Sequence, residues 1–92
     1  MKERWLDMKL SDFANDLNGK RLTVTLESNN ISSHIFSEKA KVFVRQSESK
    51  SLVFMNSDWE EISVSAKAIN SIRQTDYSYV INCDNCRVIA EF

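Results

Sequence analysis

The stretch Cys83-Asp84-Asn85-Cys86 comes closest to a recognisable chemistry in this sequence. Two thiols at this spacing can give a zinc ion two ligands from a tight turn, or cycle between dithiol and disulfide. A structural zinc site needs four ligands, and the chain adds only one histidine, His34, and carboxylates. Redox motifs of this spacing open a helix whose N-terminus stabilises the thiolate. Cys83 and Cys86 instead flank what reads as a hairpin turn, where a disulfide is strained. The pair is expected to close the hairpin as two small apolar side chains, with no metal and no cofactor.

The remaining reactive groups do not assemble into a catalytic set. His34 follows Ser32 and Ser33, but a Ser–His neighbourhood in sequence is not a dyad without a third, orienting group. Glu60 and Glu61 are adjacent on an extended segment and so point to opposite faces. They cannot face each other across a cleft as acid–base catalysis on a sugar requires. A single glycine excludes a Gly-rich phosphate loop. Enzymatic activity is therefore not expected. Trp59, between Asp58 and Glu60, has the make-up of an interface anchor, a large aromatic ringed by polar groups. A small core needs large aromatics, however, and the favoured expectation is that it folds back over the barrel mouth. Trp5 lies off the apolar stripe of the N-terminal segment.

Composition narrows the class further. Ninety-two residues make one domain, and 42% hydrophobic residues suit a globular chain. Twelve Lys and Arg oppose thirteen Asp and Glu, for a net charge of −1. The basic excess of a dedicated nucleic-acid binder is missing. No apolar run reaches the ~18 residues of a membrane span, and Met1-Lys2-Glu3-Arg4 is not followed by a signal-peptide core. A soluble, cytoplasmic protein with reduced cysteines is expected. One glycine and no proline leave turns to Asn, Asp and Ser. Abundant Asn, Ile, Lys and Phe point to an AT-rich bacterial or phage genome.

Hydrophobic periodicity supplies the elements. Leu6, Leu10, Phe13 and Leu17 fall on one stripe, predicting an amphipathic helix over residues 3–18 with Gly19 as its left-handed cap. Ser11-Asp12 offers a second start, with Arg4 to Leu10 then extended. From Lys20 the period changes to two, and strands are expected over 20–27, 39–46, 51–56, 60–65, 69–74, 77–83 and 86–92, with a further short one over 31–36. Asp84-Asn85 suits a type I′ turn. That turn pairs Cys83–Cys86, Ile81–Val88, Tyr79–Ala90 and Tyr77–Phe92 on an inward apolar face, and a one-residue slip would scramble the pattern. The fold class is α+β, mainly β. One N-terminal helix precedes a strongly bent antiparallel sheet of five to six strands, or a small SH3/Sm-like barrel, ending in the C-terminal hairpin.

Leu10-Ser11-Asp12-Phe13 leading a helix, Leu22-Thr23-Val24-Thr25-Leu26 as a first strand and Lys67-Ala68-Ile69-Asn70-Ser71 before a late strand follow a known order. Over Leu10 to Asp76 the chain resembles the Sm-like barrel, including the bacterial Sm-type RNA chaperone. It departs in lacking a glycine in the second strand and in carrying the terminal hairpin. The resemblance implies an oligomeric nucleic-acid-binding barrel. Lys39, Lys41, Arg45, Lys67 and Arg73 would then contact phosphates, with Tyr77 or Phe36 stacking on bases.

Phe43, Val53 and Met55, and separately Val80 with Ile89, fall opposite the main core face, more apolar surface than one helix can cover. The hairpin also promises an open edge. The function expected is a non-enzymatic protein-interaction module, a small stand-alone regulator, inhibitor or immunity-type protein. Asp58, Trp59, Glu60, Val80 and Ile89 would be its contacts, with another protein or a second copy of itself as partner. Nucleic acid is the alternative partner, and no membrane role is expected.

Overall fold

Alternating side chains along the chain from Leu22 build a mainly β fold. The computed structural model describes residues 4–6 and 9–92. In chain order the elements are β1 (Arg4–Leu6), α1 (Leu10–Leu17), β2 (Leu22–Ser28), β3 (Ser32–Ser37), β4 (Lys41–Gln46), β5 (Lys50–Met55), β6 (Glu61–Ser65), a 3₁₀ turn (Ala66–Ala68), β7 (Ile69–Gln74), β8 (Ser78–Cys83) and β9 (Cys86–Glu91). All strand pairs are antiparallel. They form a six-stranded sheet ordered β1-β7-β8-β9-β2-β3 and a three-stranded sheet ordered β4-β5-β6.

Leu22, Val24, Ile81, Val88 and Ala90 of the larger sheet pack with Val42, Leu52, Phe54, Ile62 and Val64 of the smaller one in a single core. Phe13, Ala14 and Leu17 of α1 complete that core. The helix spans both layers: the Phe13 ring meets Tyr79 of β8 edge-on at 5.1 Å, while Asn18 Oδ1 accepts the Val42 N–H of β4 at 2.9 Å. Three strands cannot cover six, and α1 closes the side beyond β4. Gly19 ends the helix at φ +87°, the expected left-handed cap.

The mainly β class with one N-terminal helix is what periodicity indicated, but the helix is shorter than residues 3–18. Arg4–Leu6 is extended and pairs with β7, Trp5 opposite Arg73. Residues 3, 7 and 8 of the expected helix lie outside the described residues. Helical spacing of Leu6 with Leu10 could not reveal that β7 has a side free to accept a strand. The helix therefore begins near the alternative start at Ser11.

The C-terminal hairpin has the expected register, with Ile81 opposite Val88, Tyr79 opposite Ala90 and Val80 opposite Ile89. Its surroundings differ. β8 is flanked by β7 and β9 by β2, so the hairpin lies in mid-sheet and has no open edge. Its tip is bound by the Asp84 N–H to the Ala68 carbonyl at 2.9 Å. Neither Asp84 nor Asn85 has a positive φ, so the turn is not type I′. At the far end Tyr77 and Phe92 are largely exposed rather than inward, although the Phe92 ring meets Tyr79 at 5.6 Å.

The surplus apolar faces are also smaller than expected. On the outer face of β4-β5-β6, Val53 lies between Phe43 and Ser63. Arg45 and Glu61 occupy opposite corners of that face, and their two hydrogen bonds of 3.1 and 3.2 Å must pass across β5. That bridge and the Phe43 ring roof Val53, which is 0% exposed. Val80 is only 6% exposed and Ile89 half-buried. One residue row along, the Arg87–Glu27 ion pair at 2.7 Å covers the same face. Val80 and Ile89 are thus not a free patch.

Candidate functional site

The β5–β6 connection is built by one buried side chain. Asn56 donates its backbone N–H to the Glu60 carbonyl at 3.1 Å, and its own carbonyl accepts the Trp59 N–H at 3.2 Å. Asn56 Oδ1 accepts the N–H groups of Asp58 and Glu60, both at 3.0 Å. Its Nδ2 donates to Glu60 Oε1 at 2.8 Å and more weakly to the Phe36 carbonyl at 3.5 Å. These bonds define a three-residue loop, Ser57 to Trp59, whose last position takes a left-handed conformation and usually holds glycine.

Here that position is Trp59, at φ +66°, and among the described non-glycine residues no other has a positive φ. A bulky residue in this region is an outlier that costs about 1–3 kcal/mol, and such residues cluster at functional sites. The Trp59 side chain is 76% exposed, so core packing does not explain it. Lys41 Nζ sits 5.6 Å from the ring centroid. Together with Lys39, Met55, Asn56 and Ser57, Trp59 and Lys41 line a cavity of about 360 Å³. The result is an exposed indole on a strained backbone position, beside the Lys41 ammonium and above a partly apolar floor that Lys39 also lines.

Asp58 and Glu60 flank the indole as expected and are exposed, with the Glu60 carboxylate engaged by Asn56. Val80 and Ile89 belong to the other sheet and are not part of this surface. The basic residues scatter. Lys39 and Lys41 join Trp59, while Arg45 is bound by Glu61, whose hydrogen bonds and charge push the guanidinium up from its ordinary value. Lys67 lies beside the β4–β5 turn at the opposite end of the smaller sheet, ~17 Å away along a six-residue strand. Arg73 sits in the larger sheet opposite Val80. Sequence reading missed Asn56 as the organiser and the meeting of Lys39 and Lys41 with Trp59. Asn-Ser-Asp followed by a large residue where glycine belongs was the available signal.

The cysteines are free and half-buried. Burial first, then the neighbouring Cys86 and Asp84, push the Cys83 thiol up to about 12, which suppresses the nucleophilic thiolate. Among the described residues no three His, Cys, Asp or Glu side chains come together to hold a metal ion. The raised thiol makes a pH prediction. Above its ordinary value of 9.0 the unfolded chain releases the Cys83 proton while the fold retains it to about 12. Stability should thus fall as pH rises through that window and be unaffected by this group below it. Urea midpoints of the wild type and Cys83→Ala should therefore converge from pH 9 to 12. Parallel curves would show that Cys83 ionises alike in both states.

Among the described residues no helix is long and apolar enough to cross a membrane. No family model, curated protein or solved structure matches the chain.

Proposed function

We propose that this chain is a non-enzymatic protein-interaction module, a small regulator, inhibitor or immunity-type protein of a bacterial or phage cytoplasm. It grips another protein with the turn carrying Asp58, Trp59 and Glu60. The supporting observation is Trp59 itself, an indole in a conformation suited to glycine yet directed into solvent. Exposed aromatic anchors with a polar rim carry most of the binding energy of typical interfaces. Lys39 and Lys41 extend the contact and favour a partner with a carboxylate beside an apolar side chain.

Immobilised wild-type protein should retain a specific protein from a lysate of its source organism, nuclease-treated or not, and Trp59→Ala should lose it. Retention by Trp59→Ala rejects the anchor. Release by nuclease would instead favour nucleic acid, for which an indole beside two lysines offers a base-stacking platform.

A further inference from the structure

The one glycine in the chain follows an asparagine, and the fold has a use for each. Gly19 caps α1 at φ +87°, and a Cβ added there would touch nothing, so the left-handed backbone, not a lack of space, demands glycine. Asn18 supplies the oxygen that holds the Val42 N–H of β4 at 2.9 Å. Two further bonds complete a clamp between residues 18–20 and 40–42. The Gly19 N–H donates to the Ala40 carbonyl at 2.7 Å, and the Ala40 N–H donates to the Lys20 carbonyl at 2.9 Å.

An asparagine before glycine is also the one that most readily loses its amide, since glycine has no side chain to shield its nitrogen. We propose that Asn18 is a modification site, held shut by this clamp and deamidated when the clamp opens. Hydroxide removes the Gly19 amide proton, and that nitrogen attacks Asn18 Cγ. The new N–C bond closes a five-membered succinimide, and the side-chain nitrogen takes a proton from water and leaves as ammonia. Water then opens the ring at either carbonyl. One opening gives aspartate, and the other gives isoaspartate, with the main chain rerouted through the former side chain.

Conformation, not burial, withholds this reaction. Asn18 and Gly19 are both exposed, so water and hydroxide reach them. Ring closure needs the Gly19 nitrogen to eclipse Asn18 Cβ about the Cα–C bond. At ψ 131° that nitrogen stands more than a right angle away. Turning it into place swings Gly19 and Lys20 off Ala40, and bringing Cγ to it takes Oδ1 from Val42. Three bonds of ordinary net strength keep the reactive form to about one part in 100. Isoaspartate would lengthen the main chain inside the clamp. The segment so loosened carries Lys39 and Lys41, so the modification bears on the Trp59 surface without depending on what binds there.

The test ages the intact chain at mildly alkaline pH, folded and in concentrated urea, and follows conversion of amide to acid at each asparagine by peptide mass spectrometry. In urea Asn18 should react before any other asparagine. In the folded chain it should react about 100-fold more slowly than in urea. Between those limits, urea should raise the rate less steeply than it raises the global unfolding constant, because opening the clamp exposes little surface. Asn18→Asp has no amide to lose and should abolish the early release of ammonia in urea. A folded-state rate equal to that in urea overturns the proposal. So does a rate that follows global unfolding throughout, or early ammonia release that survives in Asn18→Asp.

Discussion

Trp59→Gly should be the more stable of two variants that both fail to bind. Glycine and alanine each remove the indole and its contact with Lys41, so the difference between them isolates the backbone. At φ +66° alanine retains the clash of Cβ with the following carbonyl, whereas glycine has none. Glycine gives back part of this advantage through its freer unfolded chain. A net gain of about 1 kcal/mol over Trp59→Ala is expected, about 4–8 °C in melting temperature for a domain of this size. Binding in both should fall about 30-fold or more, the scale of a central aromatic hot spot. Calorimetric titration with the captured partner measures the loss, and thermal melts measure the order. A glycine variant less stable than the alanine variant would mean that the turn does not impose a left-handed conformation.

Phe13→Ala should come close to unfolding the protein. Phe13 is 0% exposed and joins α1 to the core through Tyr79. Deleting a buried ring costs about 3–5 kcal/mol, out of a total of roughly 5–15 kcal/mol for a typical domain. A chain of 92 residues has a small core to draw on. Urea unfolding should show the midpoint displaced by most of its value. A loss below about 1 kcal/mol would make α1 an appendage to the two sheets instead of the closure of their core.

The comparison of Leu6 with Ile81 shows where sequence reading holds. Ile81 alternates with neighbours whose partners lie across a two-residue turn, so local pattern and pairing agree and the register is legible. Leu6 also has helical spacing from Leu10, yet it sits in a strand, because its partner Ile72 is 66 positions away. Val53 is a third case. Its position opposite Leu52 and Phe54 is readable from alternation, but its burial depends on an Arg45–Glu61 bridge across an intervening strand. β3 was ambiguous because an edge strand buries little, and only Ile35 and Ser37 are covered there.

At the candidate site, the sequence alone singled out Trp59 between two acids, a residue type that interfaces favour. Its left-handed backbone, its solvent-facing indole and the arrival of Lys39 and Lys41 beside it were settled by the tertiary structure. Periodicity of two or 3.6 is a property of neighbours along the chain, so it determined the elements, their turns and the last hairpin. Which strand borders which, and so which faces and edges stay open, depends on contacts between residues far apart in sequence, and those form only when both sheets close on one core.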